Sequence, residues 1–219
     1  MTGKTHIAGG LFSAACLATL APSIQGGEAM ISGKLVIAGV AIPALVAGIV
    51  VSVLASLLPD IDEPESLIVH SPDKARKHVV MKAGRRSAAA RGLTALPFVI
   101  AQWVLRVASG IIRVLAGGHR GATHWLLTAL LLTAGIWYLG TIGGYTYLWL
   151  WFVAGYCSHL VLDMMTLSGL KVLRPLTPSS IHLLPVFMRV RTGGSVDAFL
   201  GVLLLLGAVL LLYKRWSVQ

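Results

Sequence analysis

Seven ionisable side chains stand where an apolar chain tolerates them least. Asp60, Asp62, Asp163, His6, His119, His124 and His159 all fall at or just inside the ends of uncharged runs. Charged or ionisable groups in a bilayer are expensive unless they pair, face water or hold an ion, so this placement calls for a cause. The spacings suit metal ligation. His159 and Asp163 are four apart, which puts both on one face of a helix and within reach of a single cation. Pro59 presets the backbone ahead of Asp60-Ile61-Asp62, where an ending helix can splay two carboxylates. In Gly117-Gly118-His119-Arg120-Gly121-Ala122-Thr123-His124 the glycines allow an irregular approach, with His119 in the loop and His124 on the first helical turn.

Imidazole and carboxylate together suit zinc, manganese or iron, whereas calcium or magnesium would favour oxygen ligands alone. Seven ligands exceed the four of one tetrahedral zinc. A pair of cations roughly 3.5–4 Å apart would use them and leave a position for water, so a dinuclear site is slightly favoured over a mononuclear one. Each piece also has a plainer reading. A histidine at a helix end is commonly an interfacial anchor, Pro-Asp a helix stop, and an i,i+4 His/Asp pair a simple hydrogen bond. Thr5, Thr123, Ser158 and Thr166 neighbour the seven and could support them, although capping and packing are commoner roles for such residues. Glu63 reads as a solvated loop residue, and His70, His78 and His182 show no ligand spacing.

The elements that must position these groups are set by composition. Of 219 residues, 56% are hydrophobic and only 12% charged, against about 25% charged in soluble domains. Mean hydropathy is +0.82. Disorder, collagen and disulfide scaffolds are excluded, and Cys16 and Cys157 both lie in apolar runs. The expected fold is an all-α polytopic membrane bundle in a single domain, 1–219, with about five transmembrane helices and one interfacial amphipathic helix. Windows near the 20 or so residues that cross a bilayer are Ile7 to Gly27, the uncharged 24-residue run Leu35 to Leu58, Ala122 to Leu162 as two spans turning at Gly140, Gly143 and Gly144, and Ala198 to Tyr213. The first of these reads as a retained span and not a cleaved signal, since one basic residue precedes it and His6 breaks the apolar stretch at its start. Leu93 to Ala116 carries Arg106 and Arg113 seven apart on one face, with Leu, Ile, Val and Trp on the others, and is expected to lie on the membrane.

The net charge of +10 would suggest nucleic acid in a soluble protein, but its distribution follows insertion bias. Lys and Arg accumulate in cytoplasmic loops. Five spans with a cytoplasmic amino terminus place fifteen of the eighteen basic residues inside, ten of them in a basic insertion over 63–117 and the adjoining loop, leaving Lys34, Lys214 and Arg215 outside. No nucleic-acid partner is therefore expected, and the cationic rim should attract anionic lipid headgroups. The same topology, derived without the seven His and Asp residues, sets all of them at one depth on the cytoplasmic side. Independent anchors would be spread over both interfaces, so this convergence favours a shared site.

Thr2 to His6, Leu57-Leu58-Pro59-Asp60-Ile61-Asp62, His119 to His124 and Ser158-His159-Leu160-Val161-Leu162-Asp163-Met164-Met165-Thr166 together resemble the YdjM-type membrane-bound, metal-dependent hydrolases, bacterial and archaeal inner-membrane proteins of which some are under LexA control. The resemblance spans nearly the whole chain. It implies a multi-pass plasma-membrane hydrolase whose metal ligands are drawn from His6, Asp60, Asp62, His119, His124, His159 and Asp163. Leu167-Ser168-Gly169-Leu170, Pro175 and Gly194-Ser195 follow the later family pattern, but Asp197 stands where the tail motif often carries Glu and is not taken as a ligand.

The chemistry that follows is hydrolysis by metal-activated water, with Asp60, Asp62 and Arg120 as catalytic candidates. No serine elbow or phosphate-binding glycine loop is present. A site at headgroup level rimmed by Arg120, Lys171, Arg174 and Arg191 would favour an anionic lipid or lipid-linked phosphoester, with zinc or manganese as one ion or two. The alternatives are an ion or small-solute transporter, which should carry ionisable groups through the membrane depth, and a non-catalytic adaptor with a closed structural metal.

Overall fold

The computed structural model describes residues 1–24, 26–37, 39–63, 66–82, 88–117 and 120–217. Apart from one short hairpin the described residues are helical or in loops, in keeping with the all-α expectation. The helices are α1 (Gly3–Leu20), α2 (Gly27–Ser32), α3 (Ala44–Ala55), α4 (Leu67–Lys82), α5 (Ala88–Leu115), α6 (Leu126–Ile142), α7 (Leu148–Met164) and α8 (Ser195–Ser217), with strands β1 (Lys34–Ile37) and β2 (Val40–Pro43) between α2 and α3. The chain divides into two compact units, Met1–Pro59 with His124–Gln219, and Asp60–Thr123.

In the first unit α1 packs on α3, α7 and α8, while α7 also contacts α3 and α6. Small residues permit the close approaches, as is usual between helices in a membrane. The Ser52 hydroxyl of α3 donates to the Gly10 carbonyl of α1 at 2.9 Å, and Gly155 of α7 lies against the backbone of Ser52. Phe152, Tyr156 and Leu160 of α7 fill one core with Ala55, Ala129, Leu170 and Val172. Trp151 joins Ala14, Ala18, Met30 and Ile31 in a second.

The turn between α6 and α7 falls at Gly143 and Gly144, the latter at φ +75°, where the glycines place it. The 24-residue run Leu35–Leu58 does not form the single span expected from its hydropathy. Only Ala44–Ala55 is helical, because Pro43 opens the helix and the residues before it form the antiparallel pair β1–β2. Twelve residues rise about 18 Å, short of the roughly 30 Å hydrocarbon core. α8 is longer than the Ala198–Tyr213 window: its 23 residues rise about 34 Å. Three segments are long and apolar enough to cross a membrane, Gly3–Ser23, Ala95–Leu115 and Ser195–Ser217, and α3, α6 and α7 are shorter apolar helices. After α7 the chain runs to α8 without a long helix, tied by a parallel bridge between Thr166 and Val190 and an antiparallel one between Leu170 and Ile181.

The second unit is a pairing of α4 with α5. Among the less exposed positions of α5, which also include Ala108, Gly110 and Arg113, are Ala95, Phe98, Gln102, Leu105, Ser109 and Ile112, with Ala116 just past its end. The latter set alternates three and four apart, the 3.5-residue period of a helix–helix seam. The outward face is apolar, with Leu96, Val99, Ile100, Trp103, Val104, Val107, Ile111, Val114 and Leu115 all exposed. An exposed face of this size is not that of a helix solvated on all sides.

Candidate metal centre

Four of the seven sequence-derived ligands converge in the first unit. His6 stands on the first turns of α1, His124 closes a 3-10 turn over Ala122–His124, and His159 and Asp163 share one face of α7. None is more than 1% exposed. Their burial follows from helix packing, since α1 lies directly on α7.

The i,i+4 spacing works as the sequence implies: His159 Nε2 is 3.8 Å from Asp163 Oδ2. His124 Nε2 is 3.9 Å from the same oxygen and 3.2 Å from His159 Nε2. His6 stacks on His159 with ring centroids 3.7 Å apart, and its Nε2 lies 3.4 Å from Asp163 Oδ1. That carboxylate oxygen also accepts from the Met1 amino group at 2.5 Å. One ligand atom from each of His6, His159 and Asp163 falls within 4.8 Å of the others.

His159 is oriented by a backbone group that no side-chain pattern reveals. Its Nδ1–H donates to the Ser56 carbonyl at 2.7 Å. In the neutral ring this fixes the proton on Nδ1 and leaves the Nε2 lone pair facing His124 and Asp163, the arrangement usual for a metal-binding histidine.

The donor set could hold a metal ion. Three imidazoles and a carboxylate are the right ligand types, and the 3.2 Å between the Nε2 atoms of His124 and His159 is close to the ligand–ligand edge of about 3.3 Å that Zn–N bonds of about 2.05 Å make in a tetrahedron. Moreover, His6 Nδ1 is buried with no hydrogen-bond partner among the described residues, and Nε2 has only the 3.4 Å approach to Asp163 Oδ1. Such orphaned polar atoms are rare in native interiors, and a cation would satisfy one of them.

Asp197, set aside on sequence grounds, has a structural task beside this cluster. It is fully buried at the start of α8. Its Oδ1 accepts the Thr5 hydroxyl at 2.6 Å, and its Oδ2 accepts the Thr2 and Gly193 amides at 3.0 and 2.8 Å. The shorter carboxylate thereby ties the first turn of α1, which carries His6, to α8. The neighbouring hydroxyls divide: Thr5 serves Asp197, whereas Thr166 bonds to the Asp163 carbonyl and Ser158 to that of Gly155, which are local capping and packing bonds.

Asp60 and Asp62 occupy a 3-10 turn, Pro59–Asp62, and belong with Arg120 to the second unit. Asp62 is fully buried and accepts the Thr123 hydroxyl at 3.1 Å. Arg120 is the one non-glycine residue at positive φ (60°) among those described, a conformation that costs an L-residue roughly 1–3 kcal/mol. Glu63 pairs with Arg113 at 3.4 Å. His119 lies outside the described residues. Lys171, Arg174 and Arg191 are exposed on the segment joining α7 to α8.

Comparison with known proteins yields one family: a family model described as YdjM inner membrane protein matches residues 1–217. No curated protein and no solved structure matches the chain.

Proposed function

The chain belongs to the YdjM inner membrane protein family, and from that premise we propose that it is a multi-pass, metal-dependent hydrolase of a lipid or lipid-linked phosphoester, working at the cytoplasmic face. The observation that carries this reading is the convergence of His6, His124, His159 and Asp163, from distant parts of the chain, into one buried cluster in which His6 Nδ1 has no hydrogen-bond partner among the described residues. Zinc or manganese, when bound, supplies Lewis acidity toward water and a phosphoryl oxygen at neutral pH.

The chain's own residues do the rest. The Ser56 carbonyl holds the His159 ring in one tautomer. Asp163 supplies the negative charge that a cation needs in a dry site, and Asp197 fixes the turn that presents His6. Asp60, Asp62 and Arg120 remain sequence-based candidates for further ligands and for phosphate contact. The left-handed backbone at Arg120 supports a special role there, since strain of this kind gathers at functional positions. The cytoplasmic assignment rests on the asymmetry of Lys and Arg.

The test uses full-length protein in mild detergent. Metal analysis should find a bound transition metal, and phosphatase and phospholipase assays with zinc or manganese should find hydrolysis. Asp60→Ala and His159→Ala should abolish both binding and turnover while the protein still inserts. A metal-free wild type, or variants that keep metal and activity, would end the enzyme reading.

A further inference from the structure

The second unit contains a cleft that the hydrolytic reading does not use. It has a volume of about 420 Å³ and is lined by Asp73 and Arg76 of α4 and by Val99, Gln102, Trp103 and Arg106 of α5. Two guanidinium groups thus border one cavity. Arg76 is engaged, donating from Nη2 to Asp73 Oδ1 at 2.7 Å. The other Asp73 oxygen is held by Lys77 at 3.0 Å. Those bonds from Lys77 and Arg76 keep the Asp73 carboxyl below the ordinary carboxylate range, so its charge is met within α4 itself. Arg106 has no such partner among the described residues and leaves the cleft with surplus positive charge.

A second observation points to a ligand. Gln102, only 8% exposed, accepts the Asp73 amide on Oε1 at 3.0 Å, yet its Nε2 is buried with no hydrogen-bond partner among the described residues. A buried amide N–H2 left without an acceptor is costly and uncommon. What the cleft lacks is therefore an acceptor bearing negative charge. Guanidinium with an amide donor beside it is the chemistry that recognises phosphate, through paired N–H···O bonds.

The surroundings select the form of the phosphate. Val99 and Trp103 line the cleft and also belong to the exposed apolar face of α5, at 45% and 66% exposure. The cleft thus opens where Gln102 of the α4–α5 seam meets the apolar row of Leu96, Ile100, Val107 and Ile111. A free anion would gain nothing from that row, whereas acyl chains would lie along it with the headgroup at the cleft. Trp at such a border is characteristic of the membrane–water interface.

We propose that the α4–α5 pair is a phospholipid-docking element, in which Arg106, Arg76 and Gln102 Nε2 hold an anionic headgroup phosphate and the outward face of α5 lies in the acyl region. This site is separate from the His/Asp cluster and does not depend on the chain being a hydrolase.

The experiment is native mass spectrometry of the full-length protein in mild detergent, titrated with phosphatidylglycerol, phosphatidylcholine or inorganic phosphate. Wild type should hold phosphatidylglycerol in preference to phosphatidylcholine. Arg106→Gln, an exposed substitution that should not disturb folding, should weaken that binding about tenfold, as expected for one charge-assisted contact. Gln102→Leu should weaken it too, Arg106→Lys should restore part of it, and Arg215→Gln should leave it unchanged. His159→Ala should bind phosphatidylglycerol as wild type does. Equal binding by Arg106→Gln and wild type overturns the site. Inorganic phosphate bound as tightly as the lipid overturns the lipid assignment, and loss of lipid in His159→Ala alone places the lipid at the metal cluster instead.

Discussion

The two units solve the same problem, polar groups buried in apolar helices, in opposite ways. In the first, His6, His124, His159 and Asp163 come from three elements and meet with little room between them. In the second, Gln102 and Ser109 lie on one helix, seven apart, in the seam with α4, and are buried with Gln102 Nε2 and Ser109 Oγ unpartnered. The first arrangement concentrates ionisable groups that differ in charge and can share a cation. The second leaves neutral donors beside surplus guanidinium. Concentration of ionisable ligands suits chemistry, and spare donors beside positive charge suit docking.

The sharpest way to break that contrast is His159→Ala. Removing a ligand that Ser56 orients should strip the metal and lower hydrolysis by at least about a hundredfold, while phosphatidylglycerol binding at the other unit persists. Metal content and turnover measured on one preparation read the first effect, and lipid titration reads the second. If both vanish together, the units are not functionally separable. Asp197→Ala comes next. It leaves the Thr2 and Gly193 amides without their acceptor and takes from the Thr5 hydroxyl its carboxylate partner, which should destabilise the first unit by about 3 kcal/mol and weaken metal retention about ten- to a hundredfold. Competition with a chelator measures the latter. Asp197→Asn, which keeps the shape and most acceptors, should recover part of both.

That result would also mark where the sequence stops being informative. The pairing of His159 with Asp163 and the entry of His6 are legible, because side-chain spacing on a helix and the cost of an ionisable group in lipid both leave a pattern in residue types. The Ser56 carbonyl is not legible, since any residue supplies one. Asp197 was obscured for a different reason: its type departs from the resembling motif, and only the positions of Thr2, Thr5 and Gly193 reveal that a shorter carboxylate is satisfied there. Likewise Leu35–Leu58 is uniformly apolar, and hydropathy cannot tell a strand pair followed by a 12-residue helix from one long span. On α5 the sequence places Arg106 and Arg113 on a single face, but which face meets α4 depends on the packing of the partner helix.

A packing change tests whether the first unit needs its close approaches. A methyl group on Gly155 would press into the backbone of Ser52, so Gly155→Ala should destabilise by about 1–3 kcal/mol through overpacking. Because Ser56 directly follows α3 as its C-cap, the shift should loosen the His159 hydrogen bond and appear as weaker metal retention. Thermal unfolding in detergent, with and without added zinc, separates the two contributions. Unchanged metal affinity in a destabilised protein would show that the Ser56 contact tolerates movement of α3.

The smallest effects should distinguish the units by sign. Ser52 and Ser109 are both fully buried, one in each unit. Ser52 has its hydroxyl bonded to the Gly10 carbonyl, so Ser52→Ala should lose about 1 kcal/mol, the usual net value of a buried hydrogen bond. Ser109 Oγ is buried with no partner, so Ser109→Ala removes a desolvated group at no loss of bonding and should be neutral or stabilising by up to about 1 kcal/mol. Peptide-resolved hydrogen exchange follows each unit separately: α1 and α3 should exchange faster in the first variant, and α5 no faster, or slower, in the second. Faster exchange of α5 in Ser109→Ala would mean that the hydroxyl serves a bound molecule, a lipid headgroup included, and would bring Ser109 into the docking element beside Gln102.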